Sequence, residues 1–411
     1  MAAMKKIYFD YAATTPLDES ARRAMEPYFS NIFGNPVSAH THGREAREAV
    51  ERSRAEIAKG IGARAHEIIF TAGVTEANNM ALFGSVTAPS YGKVSRPPHI
   101  IVSAIEHSSI LEAARRLEGS GAHLTIAGVS REGIIDPDEI CRALTRETAV
   151  VSVMYINNEM GTIEPIRALS KAISQWKRTV GRGKNDYPYL HTDAAQAPRA
   201  LPFRPHALGV DLLSIDGSKI YGPKGIGFLY VREGIVIRPL MVGAGQEALR
   251  RAGTHNVPSI LGLATALRRA ESLRRVEVRR LTSLKNIFLR DLMKLIPDIV
   301  INGSVKESVP SIINFSIPGV SGSALVATLD ARGFEISRGS ACLAPGDDIS
   351  YAVLALGGPP SLARESVRVS FGRETKKADG ILLVRVIGET TRLLQKKSVF
   401  QSGKRKTKVI V

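Results

Sequence analysis

A chain of 411 residues, 44% hydrophobic and 23% charged, has ordinary soluble composition and enough length to bury two cores. It holds no apolar run long enough to span a bilayer, its start MAAMKKIYFDYAATTP lacks a signal-peptide core, and two cysteines, Cys141 and Cys342, exclude a disulfide framework or a cysteine-rich metal site. A cytoplasmic protein is expected; its net charge of +17 would suit RNA or an acidic protein partner, and a solvated basic face explains it as well.

Up to about residue 260 one theme repeats: a β-branched run, a polar or glycine-rich turn, then a helical stretch. Strands are predicted at Glu67–Phe70, His99–Ser103, Ala149–Ile156, Tyr189–Thr192, Leu212–Ile215 and Gly227–Val231. Arg44–Lys59 is the clearest helix, stopped by Gly60 and Gly62, while Tyr91–Pro98 and Gly181–Tyr187 read as polar loops. Such alternation predicts an α/β fold whose mainly parallel sheet is covered on both faces. Polar residues follow the strand ends: Thr71, Glu106 and His107, Asn157 and Asn158, Asp193, Asp216. Ligands bind at the carboxyl ends of such strands, so these residues should converge. From Pro258 a long helical stretch runs towards Leu295, carrying Arg268, Arg269, Arg274, Arg275, Arg279 and Arg280. Short strands at Ile312–Ser316, Glu335–Ser337 and Val367–Ser370 then suggest a smaller α+β domain. The tail holds Lys396, Lys397, Lys404, Arg405, Lys406 and Lys408 without an acid, a composition expected to be disordered.

Three segments carry candidate chemistry. In Phe70-Thr-Ala-Gly-Val-Thr-Glu-Ala-Asn78 a strand enters a glycine turn and a helix, so the first helical amides and the Thr75 hydroxyl form a phosphate seat. The same glycine and threonine could serve the turn alone. In His191-Thr-Asp193-Ala-Ala-Gln196 a carboxylate at a strand end could hold a proton on a pyridine nitrogen, or simply cap the next helix. In Ser214-Ile-Asp-Gly-Ser218-Lys219-Ile-Tyr-Gly-Pro-Lys-Gly225 a lysine sits in a constrained loop just past a strand, suited to imine chemistry if partly desolvated, or to a surface turn.

Taken together the segments resemble the fold-type I pyridoxal-phosphate enzymes, specifically the cysteine desulfurases of the class V aminotransferase branch. The likeness runs from Tyr8-Phe-Asp-Tyr-Ala-Ala-Thr-Thr-Pro16 to Ser366-Val-Arg-Val-Ser-Phe-Gly-Arg373. It includes Gly34-Asn-Pro36, Glu106-His107, Asn157-Asn-Glu-Met-Gly161, Tyr221-Gly-Pro-Lys-Gly225 and Arg251-Ala-Gly-Thr254. The resemblance implies a large cofactor domain over residues 15–260, a small domain from residues 1–14 and 261–395, and a basic tail at 396–411. It assigns Lys219 as the lysine that binds the cofactor covalently, Asp193 as partner of the pyridine nitrogen and His107 as the residue stacked on the ring. Asn158 and Gln196 would bond the phenolic oxygen side, with Asn158 also near the substrate. Val74, Thr75 and Ser218 would seat the phosphate, joined by Thr254 from the second subunit of a homodimer. Arg368 would take the substrate carboxylate, a task suited to a guanidinium fork.

Cys342 distinguishes a desulfurase. Ser337-Arg-Gly-Ser-Ala-Cys-Leu-Ala-Pro-Gly-Asp-Asp348 reads as a mobile loop on which a thiolate could form, whereas Cys141 reads as an inert thiol. The resemblance implies conversion of L-cysteine to alanine, with sulfur passing to Cys342 and then to an iron–sulfur scaffold or tRNA-thiolation protein. No resting metal is implied, although Cys342 could be a transient iron–sulfur ligand. The alternatives are another pyridoxal-phosphate aminotransferase or lyase of this fold, or a non-catalytic basic scaffold for RNA or sulfur-transfer proteins. Two stretches depart from the family: Asp216 and Ser218 stand where serine and histidine are usual, and Gly243-Ala-Gly-Gln246 where three glycines are. Asp216 brings negative charge towards a phosphate, so it is expected to point away, cap a turn or pair with a base.

Overall fold

The computed structural model describes residues 6–87, 97–339 and 349–406, with side chains as far as Lys396. Cys342, most of the expected Tyr91–Pro98 loop and Lys408 lie outside the described residues. The strands are β1 (Ile7–Tyr8), β2 (Ile68–Thr71), β3 (His99–Ser103), β4 (His123–Ala127), β5 (Thr148–Ser152), β6 (Tyr189–Asp193), β7 (Leu212–Asp216), β8 (Gly227–Val231), β9 (Val300–Ile301), β10 (Ile312–Ser316), β11 (Phe334–Glu335) and β12 (Ser366–Ser370).

Seven strands form one sheet in the order β2-β8-β7-β6-β5-β3-β4. Only β8 runs against its neighbours. Its central strands are apolar on both faces because helices cover both, so alternate residues feed opposite cores. Ile101, Val151 and Leu190 enter one core, whereas Ile100, Val102 and Val150 enter the other. The predicted Ala149–Ile156 strand stops at Ser152, where the chain leaves the sheet towards the site. Edge strand β4 was not predicted: its exposed His123 and Ile126 give no clean alternation to read. Parallel winding brings the carboxyl ends of β2, β3, β5, β6 and β7 to one edge.

The helix expected at Arg44–Lys59 spans Thr41–Ile61. Gly60 lies inside it, and the stop is Gly62, whose φ of 69° closes the helix with N–H bonds to Ala58 and Lys59. A smaller assembly pairs β12-β10-β9 and, separately, β1 with β11, so the N-terminus joins the C-terminal part of the chain. The helix Val257–Leu295 serves both bodies. Val257 to Ala270 pack into the large core, and Leu281 to Leu292 pack with Phe315, Val367 and Leu383. The domain division expected at residue 260 therefore falls within a continuous helix. The last helix, Lys377–Lys406, runs into the stretch expected to be a disordered tail. Leu383 and Ile387 anchor its start, and no proline interrupts the sequence that follows.

Candidate active site

Asp193 ends β6 fully under cover, 5% exposed. Its Oδ2 accepts from Asn78 Nδ2 at 2.8 Å and its Oδ1 from the Ala195 amide at 2.9 Å. Burial raises its carboxyl above the usual range, against the opposing pull of Asn78, Ala195 and His107. His107 caps the helix Ser108–Glu118 and bonds Ser109 Oγ through Nδ1 at 2.9 Å. Burial lowers its imidazole; the Asp193 charge works the other way, and Lys219 lowers it further. Asp193, Lys219 and Asp216 thus all act on one imidazole, as the converging strand ends require. Asn78 was not singled out from sequence. It lies one turn after Val74, on the face that looks back over the helix start, and that spacing was the available signal.

Lys219 follows β7 in a short 3-10 turn, Gly217–Lys219, and its Nζ donates to the Ala13 carbonyl. Thr15 anchors the same turn, donating its N–H and hydroxyl to the Ser218 carbonyl at 2.9 and 2.8 Å. Asp216 does not point away. Its Oδ1 takes the Ser218 amide at 2.7 Å and hydroxyl at 2.5 Å, while Oδ2 takes the Val74 amide at 3.0 Å. The carboxylate therefore caps its own turn and also sits on the first amide of the helix Val74–Val86, where the phosphate was expected. Gly73 permits this approach: its φ is 151°, and a Cβ there would lie 3.3 Å from Asp216 Oδ2. Ser218 is committed to Asp216. Thr75 is exposed, and Glu76 beside it is tied to Arg251 at 2.8 Å.

Arg368 on β12 is 1% exposed and reaches across to Asp10 Oδ1 at 2.7 Å and the Asn158 carbonyl at 2.8 Å. Among the described residues its Nε has no partner, and neither has buried Gln196 Oε1, although Gln196 Nε2 donates to the Ala12 carbonyl at 2.9 Å. Asp10 is a site residue that sequence reasoning missed; a pairing 358 residues apart leaves no spacing signal. Thr254 is exposed, on a loop held by buried Glu247. Arg54 grips Glu247 in two hydrogen bonds of 2.7 Å, and His255 adds one of 2.6 Å. Cys141 is half-buried, and burial raises its thiol. Among the described residues no cluster of three or more His, Cys, Asp or Glu could hold a metal, and no helix is long and apolar enough to cross a membrane.

These residues fit a pyridoxal ring. An acid stands for a ring nitrogen, an imidazole for its face and a lysine for its aldehyde, whereas the Gln196 donor expected for the phenolic oxygen is given to the Ala12 carbonyl and its remaining oxygen can only accept. At the phosphate end the fit is contested, because one carboxylate already occupies the Val74 amide.

The family described as aminotransferase class-V matches residues 7–381. Cysteine desulfurase IscS of Dictyoglomus turgidum is 44% identical over 91% of this chain and 92% of its own. The Homo sapiens cysteine desulfurase is 38% identical over 92% of this chain and 79% of its own. Among solved structures, a NifS-like protein has a TM-score of 0.86 at 29% identity, covering 94% of this chain and 100% of its own. DndA from Streptomyces lividans has a TM-score of 0.72 at 34% identity, covering 89% and 99%.

Proposed function

The chain belongs to the class-V aminotransferase family, and we propose that it is a cysteine desulfurase that uses pyridoxal phosphate to move sulfur from L-cysteine onto Cys342. The observation that carries this reading is the placement of Lys219 in the turn after β7, beside buried Asp193 at the end of β6 and His107 at the cap of the helix Ser108–Glu118. When bound, pyridoxal phosphate supplies an electron sink that acidifies the substrate Cα–H and loosens its β-sulfur.

The chain's own residues do the rest. Asp193, whose buried carboxyl gains by meeting a cation, holds a proton at the ring nitrogen. Arg368, already fixed by Asp10 and Asn158, orients the substrate carboxylate with its remaining N–H groups. Lys219 takes the Cα proton and returns it. Cys342 thiolate attacks the substrate sulfur; the new S–S bond forms as the Cβ–S bond breaks, its electron pair passes to carbon, that carbon takes up a proton equivalent to the one the Cys342 thiol gave up, and alanine leaves. A sulfur-acceptor protein then removes the persulfide sulfur. Thr254, exposed within one chain, is suited to meet the phosphate of a second copy in a homodimer.

Mass spectrometry of the protein after incubation with L-cysteine tests the proposal. One added sulfur on Cys342 and release of alanine are expected; cysteine turnover with Cys342 unmodified would overturn it.

A further inference from the structure

The opposite edge of the large sheet holds a second constellation. A cavity of about 520 Å³ opens where β6 and β7 begin, between the end of the helix Ile166–Thr179 and the loop that follows it. It is roughly 15 Å from the catalytic edge, the length of a five-residue strand. Lys177 and Arg232 line it at 6% and 8% exposure, and Asp211 at 4%. Two cations are thus buried against one acid.

The acid is already committed. Asp211 pairs with Arg232 and accepts the Leu190 amide at 2.8 Å. Among the described residues Lys177 has one hydrogen-bond partner, the Lys184 carbonyl at 3.3 Å, and no carboxylate in ion-pair contact. Arg232 shares that carbonyl at 2.9 Å, and among the described residues its buried Nε has no hydrogen-bond partner. Arg182 is half-buried in the same wall, while Arg178 and Lys184 stand exposed at the mouth. Leaving a buried cation and a buried N–H unmatched is costly. Burial accordingly lowers the Lys177 ammonium despite the Asp211 charge. An anion in the cavity would give Lys177 the charge partner it lacks, and the ammonium and guanidinium groups that line it match phosphoryl oxygens. The volume lies in the range of small-molecule sites.

We propose that this cavity binds the phosphoryl group of a small ligand, with Lys177 and Arg232 as its inner contacts and Lys184 at its mouth. It is separate from the sulfur-transfer site and stands whether or not that reading holds. Calorimetric titration of the full-length protein with inorganic phosphate, AMP and a short RNA oligomer tests it. Wild-type protein is expected to bind AMP or phosphate; tighter AMP binding marks a nucleotide, and equal affinities mark free phosphate. Lys177→Met and the exposed charge reversal Lys184→Glu should each weaken that binding, the former by about tenfold or more. The ligand-free melting temperature of Lys184→Glu should be unchanged, which excludes misfolding as the cause. No binding at millimolar ligand, equal affinity in both variants, or binding of RNA without AMP would overturn the proposal.

Discussion

Asp216 and the cofactor phosphate compete for one amide, and Asp216→Asn separates them. Both anions would use the Val74 N–H that Asp216 Oδ2 now accepts at 3.0 Å. Two charges sharing one donor lie about 4 Å apart, a repulsion of roughly 1–4 kcal/mol between water-like and surface-like screening. Asparagine removes the charge and retains one acceptor oxygen, so cofactor binding should tighten by about tenfold, or ~1.4 kcal/mol. The cofactor-free protein should move the other way. Losing one of the caps that Asp216 provides to the helix Val74–Val86 and to Ser218 costs about 0.5–2 kcal/mol. Absorbance titration of the cofactor-free protein with pyridoxal phosphate, beside its thermal unfolding, reads both effects. Higher salt should narrow the affinity gap, because repulsion between part-buried charges is partly screened. Weaker cofactor binding with unchanged cofactor-free stability would refute the reasoning, since Asp216 would then support the phosphate rather than oppose it.

Lys219→Ala should abolish both the visible absorbance of the bound cofactor and its covalent capture by borohydride; capture in that variant would place the lysine elsewhere. Cys342→Ser should end sulfide release from L-cysteine while retaining cofactor binding, whereas Cys141→Ser should change neither, as a sulfide assay will show. Burial raises Glu106 from 4.5 to about 8, against hydrogen bonds from Ser103 and Met154. Its contribution to stability is therefore complete below pH 4.5 and lost as pH rises to about 8. Glu106→Gln should flatten that part of the urea-unfolding profile, whose slope per group is at most ~1.4 kcal/mol per pH unit; an unchanged slope would reject the assignment. Burial favours protonation of Glu247 as well, but Arg54, His255 and the Phe70 amide outweigh it and hold the carboxyl at about 2. Its contribution is present above pH 4.5 and lost as pH falls towards 2, so Glu247→Gln should cost about 3 kcal/mol at neutral pH and little near pH 2. Equal losses at both pH values would contradict this.

The sequence by itself determined the strand–helix alternation, hence the parallel sheet, and placed Asp193, His107 and Lys219 at strand ends that had to meet. Those features are local: buried strands must be apolar, and polar residues gather where strands stop. His99–Ser103, Gly227–Val231 and Ile312–Ser316 were legible to the residue for that reason. Strand β4 was not, because an edge strand is only half covered and its pattern is diluted. Nor was the shared role of the helix Val257–Leu295, since a continuous periodicity does not say when the helix changes cores. The pairs that shape the site were decided by the tertiary structure alone. Asp10 with Arg368, Arg54 with Glu247 and Asp216 with Val74 lie 358, 193 and 142 residues apart. No helical or strand period links such residues; each pair exists because burial leaves a charged or polar group only the partner that folding brings beside it.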